Sequence, residues 1–266
     1  MKTGIIGYGF VGEAIAKSHI YHTVDDVIIC DPDKLGEKSA TLDEVASCDL
    51  IYVCVPSPMM PSGECDSSTL ENVVSSLSNV KVPIICKTTA PPNVYEKLQK
   101  ENNYVLHSPE FLTARNHIKD YLECRFFIFG GDKDVAKRAL DMSLTGRSYQ
   151  YYDIVFTDIK SAALFKYLMN SYLATKVTYM NEFKLLSENL GVDWSEIQRM
   201  ISYDTRIGNS HTMVPGIDGK RGWAGSCFPK DISAIIKDAE TLGVDMQMLK
   251  SVVQVNNRHR GLGHEN

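Results

Sequence analysis

No stretch of the chain reaches the ~20 consecutive apolar residues that a membrane-spanning helix needs. The longest early apolar run, Leu50–Val55, is strand-sized. An excess of positive charge is also missing. The chain has 28 Lys and Arg against 33 Asp and Glu, a formal net charge of −5. Without a net positive field to release phosphate counterions, nucleic acid is not an expected partner. No CxxC pair occurs among Cys30, Cys48, Cys54, Cys65, Cys86, Cys124 and Cys227. Their odd number and irregular spacing argue against a disulfide framework and against a metal site. A reducing, cytoplasmic compartment is therefore expected. Four glycines and Glu13 interrupt the opening MKTGIIGYGFVGEA, so it does not read as a signal peptide. There is no internal repeat and no low-complexity tract. What remains is 266 residues, 44% hydrophobic and 23% charged, the composition of a soluble globular protein of one large or two ordinary domains.

The first ~150 residues alternate between short β-branched runs and amphipathic stretches, the pattern of a parallel sheet with crossover helices. Strands are predicted at Thr3–Ile6, Val27–Cys30, Leu50–Val55, Pro83–Lys87, Tyr104–His107 and Phe126–Phe129. These runs do not alternate strictly, which suits strands buried on both faces. Helical stretches such as Val11–His19 and Thr69–Leu77 lie between them. From about Thr157 the texture changes. Asp158–Leu190 reads as one long helix, apolar nearly all round, and such a helix belongs in a core or a subunit interface. Further helices are expected at Ser195–Ile201 and Asp231–Leu242, separated by an irregular segment, Tyr203–Ser226. The closing GLGHEN reads as a frayed tail. The fold class is α/β: a Rossmann-like parallel-sheet domain over residues 1–155, then an all-α dimerisation domain over 156–266 built on the long helix.

Gly7-Tyr-Gly9-Phe10-Val11-Gly12 follows the first strand and opens a helix. Gly7 permits the tight turn, Gly9 lets a pyrophosphate approach the backbone, and Gly12 lets helix and strand pack closely. Free N–H groups at the helix start meet the phosphate charge. Asp31 ends the second strand, 19 residues after Gly12, where a carboxylate binds a ribose 2′-hydroxyl and repels a 2′-phosphate. Strand, turn, helix and acid agree on a dinucleotide, with NAD favoured over NADP.

Two further constellations carry chemistry. Lys166 and Asn170 lie four apart on an otherwise apolar stripe of the long helix, so they project from one face. They either build a site that polarises an alcohol, an alkoxide or a water, or they are a snorkelling lysine and a locally bonded amide. Cys227 lies in Gly225-Ser-Cys-Phe-Pro-Lys-Asp231, just before a helix, with Lys230 nearby and Pro229 suited to the first turn. A helix start and a neighbouring cation favour a thiolate nucleophile. The alternative is a small residue in a tight turn with Asp231 as a cap. Together, a dinucleotide and a reactive cysteine suit aldehyde-to-acid oxidation through a thioester.

At these residues the chain resembles the UDP-glucose/GDP-mannose dehydrogenase family. The likeness rests on GYGFVG at 7–12, VCVPSP at 53–58, KTTAPP at 87–92, HSPEFL at 107–112 and IKDY at 118–121. It continues through ALFKYLMNSYLATKVTYMNE at 163–182, DTRIG at 204–208 and GSCFPKD at 225–231. The resemblance implies NAD-dependent, four-electron oxidation of C6 of a nucleotide-linked hexose, and a homodimer. It implies cofactor contacts from Gly7, Gly9, Phe10, Val11, Gly12, Asp31, Val55, Pro56 and Lys230. Cys227 would attack the aldehyde as nucleophile. Lys166, Asn170 and Asp231 would hold the C6 oxygen and a water, Thr89 would help position that water, and Glu110 would act as base. Substrate contacts would come from Glu110, Phe111, Leu112, Lys166 and Asn170, and from Arg206 reaching into the partner subunit's sugar site.

The chain departs from the family's pattern in three places. Phe111-Leu-Thr-Ala114 stands where the family has FLRE or FLAE, and Ala224-Gly225 stands where it has paired glycines. The chain also stops where the family's C-terminal nucleotide domain begins, which predicts a short form. His211, Lys220 and Arg221 precede Cys227 and either hold a diphosphate or belong to a solvated loop. Two other readings stay open. A two-electron 3-hydroxyacid-type dehydrogenase also carries a Lys and an Asn four apart on such a helix. A non-catalytic NAD-binding dimer without a substrate domain is the other.

Overall fold

The computed structural model describes residues 1–22, 26–144 and 149–262. Its strands are β1 (Lys2–Ile6), β2 (Asp26–Cys30), β3 (Leu50–Val53), β4 (Ile84–Cys86), β5 (Val105–His107), β6 (Phe126–Gly130) and β7 (Asp153–Thr157). Its helices are α1 (Phe10–His22), α2 (Pro32–Leu35), α3 (Leu42–Ala46), α4 (Ser68–Ser76), α5 (Pro92–Glu101), α6 (His117–Glu123), α7 (Lys133–Ser143), α8 (Ile159–Asn189), α9 (Trp194–Tyr203), α10 (Phe228–Thr241) and α11 (Gln247–His259). Most of the expected GLGHEN tail lies outside the described residues. The chain forms two compact units, residues 1–60 with 65–166 and residues 61–64 with 167–266, dividing inside α8.

The first unit is a doubly wound, Rossmann-like α/β structure. Its seven strands run in the order β2-β1-β3-β4-β5-β6-β7. Neighbours are parallel except β5 and β6, which meet in antiparallel fashion at His107 and Gly130. The sequence pattern predicted an all-parallel sheet, because apolar runs report burial and carry no information on strand direction. It also missed β7, an edge strand whose DIVFT side chains are only partly buried. The apolar runs of the central strands divide between two cores. Ile51 and Val53 of β3 join one cluster with Val74, Leu98 and Ile159. Leu50 and Tyr52 point the other way, towards Ile15, Leu106 and Leu140. Burying each such side chain contributes about 1.5–3 kcal/mol, so β3 is tied to both helical layers. Strand order reverses between β1 and β3, and in such sheets ligands bind outside the carboxyl ends at that switch point.

The second unit is helical. Asp193 caps α9 by accepting from the Ser195 N–H, and Trp194, Ile201, Met180 and Val214 form a small core. The apolar character of α8 is only partly satisfied inside this unit. Leu168, Tyr172, Tyr179, Phe183, Leu185 and Leu186 are exposed along it. α10 begins at Phe228, three residues earlier than its apolar spacing predicted, because Pro229 is accommodated in its first turn.

Candidate functional site

The glycine turn joins β1 to α1 at the switch point. Gly7 has φ +89°, and a Cβ there would meet the Cys54 carbonyl oxygen at 2.7 Å, so the turn seats against the end of β3. A Cβ on Gly12 would lie 2.0 Å from the Gly7 carbonyl oxygen, so helix and turn touch backbone to backbone. Gly9 differs: nothing stands within 4 Å of where its Cβ would project. That open face lies beside the first N–H groups of α1, which have no intrahelical partner. A dinucleotide diphosphate fits there. Asp31 caps α2, and its carboxylate accepts from the Lys34 N–H at 3.0 Å and from the Tyr8 N–H at 2.6 Å. A carboxylate has about four acceptor sites, so it retains capacity for a ribose hydroxyl. Phe10 is exposed, Val11 and Pro56 lie at the surface to differing degrees, and Val55 is buried.

The ends of β4 and β5 bring the next group together. The Lys166 amine donates to the Glu110 backbone carbonyl at 2.6 Å and to its carboxylate at 3.1 Å. The other Glu110 carboxylate oxygen accepts from the Leu112 N–H at 2.6 Å. The same amine lies 5.6 Å from the centroid of the Phe111 ring, which stacks on Phe126. Lys166 is thus held by the segment 110–112, and its charge is balanced by a carboxylate 56 residues away in sequence. Thr89 is buried, and its carbonyl accepts from the Ser57 hydroxyl at 2.7 Å. Directly below, Lys87 is buried and donates to the Ser108 hydroxyl at 2.9 Å. Burial pulls its amine down to about 8. Burial holds the His107 imidazole neutral, with its pKa near 3, and pushes the Cys54 thiol up to about 12. These are interior groups without acid–base availability near neutral pH, apart from Lys87.

In the second unit Cys227 is the N-cap of α10 and is exposed, whereas the other six cysteines are buried or half-buried. Its backbone carbonyl accepts from the Asp231 N–H at 3.0 Å, the first hydrogen bond of the helix. The Asp231 carboxylate is buried and doubly bound, to the Asn170 amide at 2.6 Å and to the Lys230 amine at 2.6 Å. Asn170 therefore reaches across to the first turn of the helix that Cys227 caps. The loop leading to Cys227 is fixed by residues that the sequence did not single out. Trp223 exchanges two hydrogen bonds with Asn256, N–H to Oδ1 at 2.7 Å and Nδ2–H to carbonyl at 3.0 Å. The indole donates to Thr178 at 2.9 Å, and the Gly222 N–H donates to Asn181 at 3.0 Å. Asn181 and Thr178 lie within the matched helix motif, but Asn256 has no local signal at all. Arg206 is highly exposed and bidentate with Asp204 of its own chain. Its loop is clamped by the Lys176 amine, which donates to the Ile207 and Gly208 carbonyls at 2.8 and 2.9 Å.

Among the described residues no cluster of three His, Cys, Asp or Glu could hold a metal ion, and no helix is long and apolar enough to cross a membrane.

Residues 32–144 match the NAD binding domain of the UDP-glucose/GDP-mannose dehydrogenase family, and residues 160–258 match its central domain. A UDP-glucose 6-dehydrogenase of Rickettsia bellii is 30% identical over 83% of this chain and 52% of its own length. UDP-glucose 6-dehydrogenase TuaD of Bacillus subtilis is 27% identical over 81% of this chain and 48% of its own. The chain thus spans about half the length of these curated relatives. Its fold is similar to that of a UDP-glucose dehydrogenase from Pyrobaculum islandicum, with a TM-score of 0.81 at 23% identity over 97% of this chain and 68% of that one. It is also similar in fold to 3-hydroxyisobutyrate dehydrogenase of Mycobacterium tuberculosis, with a TM-score of 0.74 at 15% identity over 98% and 94% of the two chains. The chain belongs to the UDP-glucose/GDP-mannose dehydrogenase family and carries that family's NAD-binding domain.

Proposed function

We propose that the protein oxidises a nucleotide-linked hexose, of the UDP-glucose type, at C6 from alcohol to carboxylate. Bound NAD supplies a hydride acceptor, used twice per substrate. The remaining chemistry belongs to side chains. In the first oxidation the hydroxyl proton passes to water as the carbon gives up hydride, and the Lys166 amine stabilises the negative charge that builds on the oxygen. The Cys227 sulfur then bonds to the aldehyde carbon, and the oxygen takes a proton, giving a thiohemiacetal. Loss of a second hydride and the hydroxyl proton converts this to a thioester. Water attacks the thioester carbon, the C–S bond breaks, and the thiol is regenerated beside a carboxylic acid. Glu110 is the base that takes the water's proton, with Thr89 helping to position that water. Asn170 and Asp231 hold the oxygen and the water. Phe111 and Leu112 line the sugar, Lys230 contacts the cofactor and Arg206 the substrate of a partner subunit.

The observation that carries this reading is the exposed cysteine Cys227 at the N-cap of α10, whose first turn carries the buried Asp231 held by Asn170 and by the half-buried Lys230. A hydroxyacid dehydrogenase has no use for a thiol so placed. The exposed apolar side chains of α8 support a homodimer, and no observation favours a membrane or a nucleic acid as partner. The test is a panel of UDP- and GDP-linked hexoses, with NADH counted per substrate consumed. Two equivalents are expected for the true substrate, and none as acid for C227S. One equivalent, or a fully active C227S, refutes the proposal.

A further inference from the structure

His117 belongs to no motif, yet it stands at the mouth of the glycine turn. Its ring lies 5.1 Å from the Phe10 ring, centroid to centroid. Its Nε2 is 3.1 Å from a Glu13 carboxylate oxygen, and its Nδ1 is 3.2 Å from the Ala114 carbonyl oxygen. Carbonyl and carboxylate oxygens only accept. With hydrogen on Nε2 the ring donates to the Glu13 carboxylate, and the ring is held between that oxygen and the Ala114 carbonyl. The loop that delivers the ring is closed on itself, because the Thr113 N–H and hydroxyl both donate to Asp120 of α6.

Glu13 poses an electrostatic conflict. It lies in the first turn of α1, where a carboxylate favours the helix dipole. The same turn must receive a diphosphate, and a bare carboxylate there repels it. Two side-chain donors ease the conflict. Lys17 bonds one Glu13 oxygen at 2.7 Å and His117 bonds the other. Hydrogen bonds from Lys17 and then His117 hold the Glu13 carboxyl below its ordinary range.

We propose that His117 is a positioning residue for the dinucleotide: its Nε2–H engages the Glu13 carboxylate and its ring braces Phe10 at the entrance to the phosphate-binding turn. This rests on the reading of Gly7–Gly12 as the NAD turn. The test is NAD titration by calorimetry on the full chain, with melting temperatures recorded for each variant. H117Q is expected to bind NAD about fivefold more weakly, the effect of a carboxylate freed from one of its two partners at a helix start. Adding E13Q removes the repulsion, so H117Q/E13Q returns to within about twofold of E13Q alone, and H117K keeps near wild-type affinity. A structural histidine would not be rescued by removing a charge elsewhere. Unchanged binding by H117Q overturns the proposal, as does an H117Q/E13Q protein that folds normally and binds as weakly as H117Q. Should H117Q not fold, weak binding by folded H117K or H117Q/E13Q overturns it. A wild-type chain that fails to bind NAD sinks the turn assignment itself, and this proposal with it.

Discussion

Asn256→Ala isolates the element that shapes the approach to Cys227. Asn256 is 2% exposed and bonds both the N–H and the carbonyl of Trp223, itself buried. Alanine leaves both backbone groups buried without partners. Each unsatisfied group costs about 1–3 kcal/mol, so the expected total is ~2–4 kcal/mol after partial relaxation. For a protein of this size that corresponds to a fall in Tm of roughly 5–10 °C. Asn256→Asp keeps the acceptor but turns a buried carboxylate oxygen towards the Trp223 carbonyl, and should be at least as destabilising as alanine. The assay is chemical denaturation followed by NADH production under conditions where every variant is folded. Turnover should drop in folded Asn256→Ala because the loop carrying Cys227 loses its anchor, while the NAD dissociation constant should not change. A loss of stability below ~0.5 kcal/mol, or full turnover in the folded variant, refutes the pinning argument.

The glycine turn offers a contrasting pair. Gly12→Ala drives a methyl into the Gly7 carbonyl, so folding or NAD binding should fail, whereas Gly9→Ala should melt normally and still bind NAD poorly, read by calorimetry beside calorimetric melts. Removing the amine of Lys166 leaves the Glu110 carboxylate without its ion-pair partner, and Lys166→Met should lose about 3 kcal/mol of stability along with turnover. Lys87 makes stability depend on alkaline pH. Its amine titrates near 8 when folded and in the ordinary lysine range when unfolded, so between those values the unfolded chain binds more protons. Stability should climb as pH rises through that window, and Lys87→Met should flatten the climb in urea midpoints compared near pH 7.5 and 9.5.

The parts of the molecule legible in the sequence are those where one residue type meets a local demand. Gly7, Gly9, Gly12 and Asp31 are read from a strand–turn–helix within 31 residues, and Pro229 before an amphipathic face marks the start of α10. The parts that escaped depend on partners far along the chain. Glu110 meets Lys166 across 56 residues, and Asn256 meets Trp223 across 33. Nothing in the local pattern around Asn256 distinguishes a buried anchor from a polar surface residue. The reversal of β6 is invisible for a different reason: Phe126–Phe129 would bury equally well in either direction. α11 went unread although Met248, Leu249, Val252, Val253 and Val255 are apolar, because only Leu249 and Val252 of these are well buried and its third buried position is the polar Asn256.

The Asp31 carboxylate grips the Tyr8 N–H as well as capping α2. The group expected to discriminate between the two nicotinamide dinucleotides is therefore also a strut between the glycine turn and the end of β2. An engineer who exchanges it to admit a phosphorylated ribose also cuts that strut. Cofactor preference in this chain should thus resist a single-site swap and yield only when a second substitution restores an acceptor for the orphaned amide.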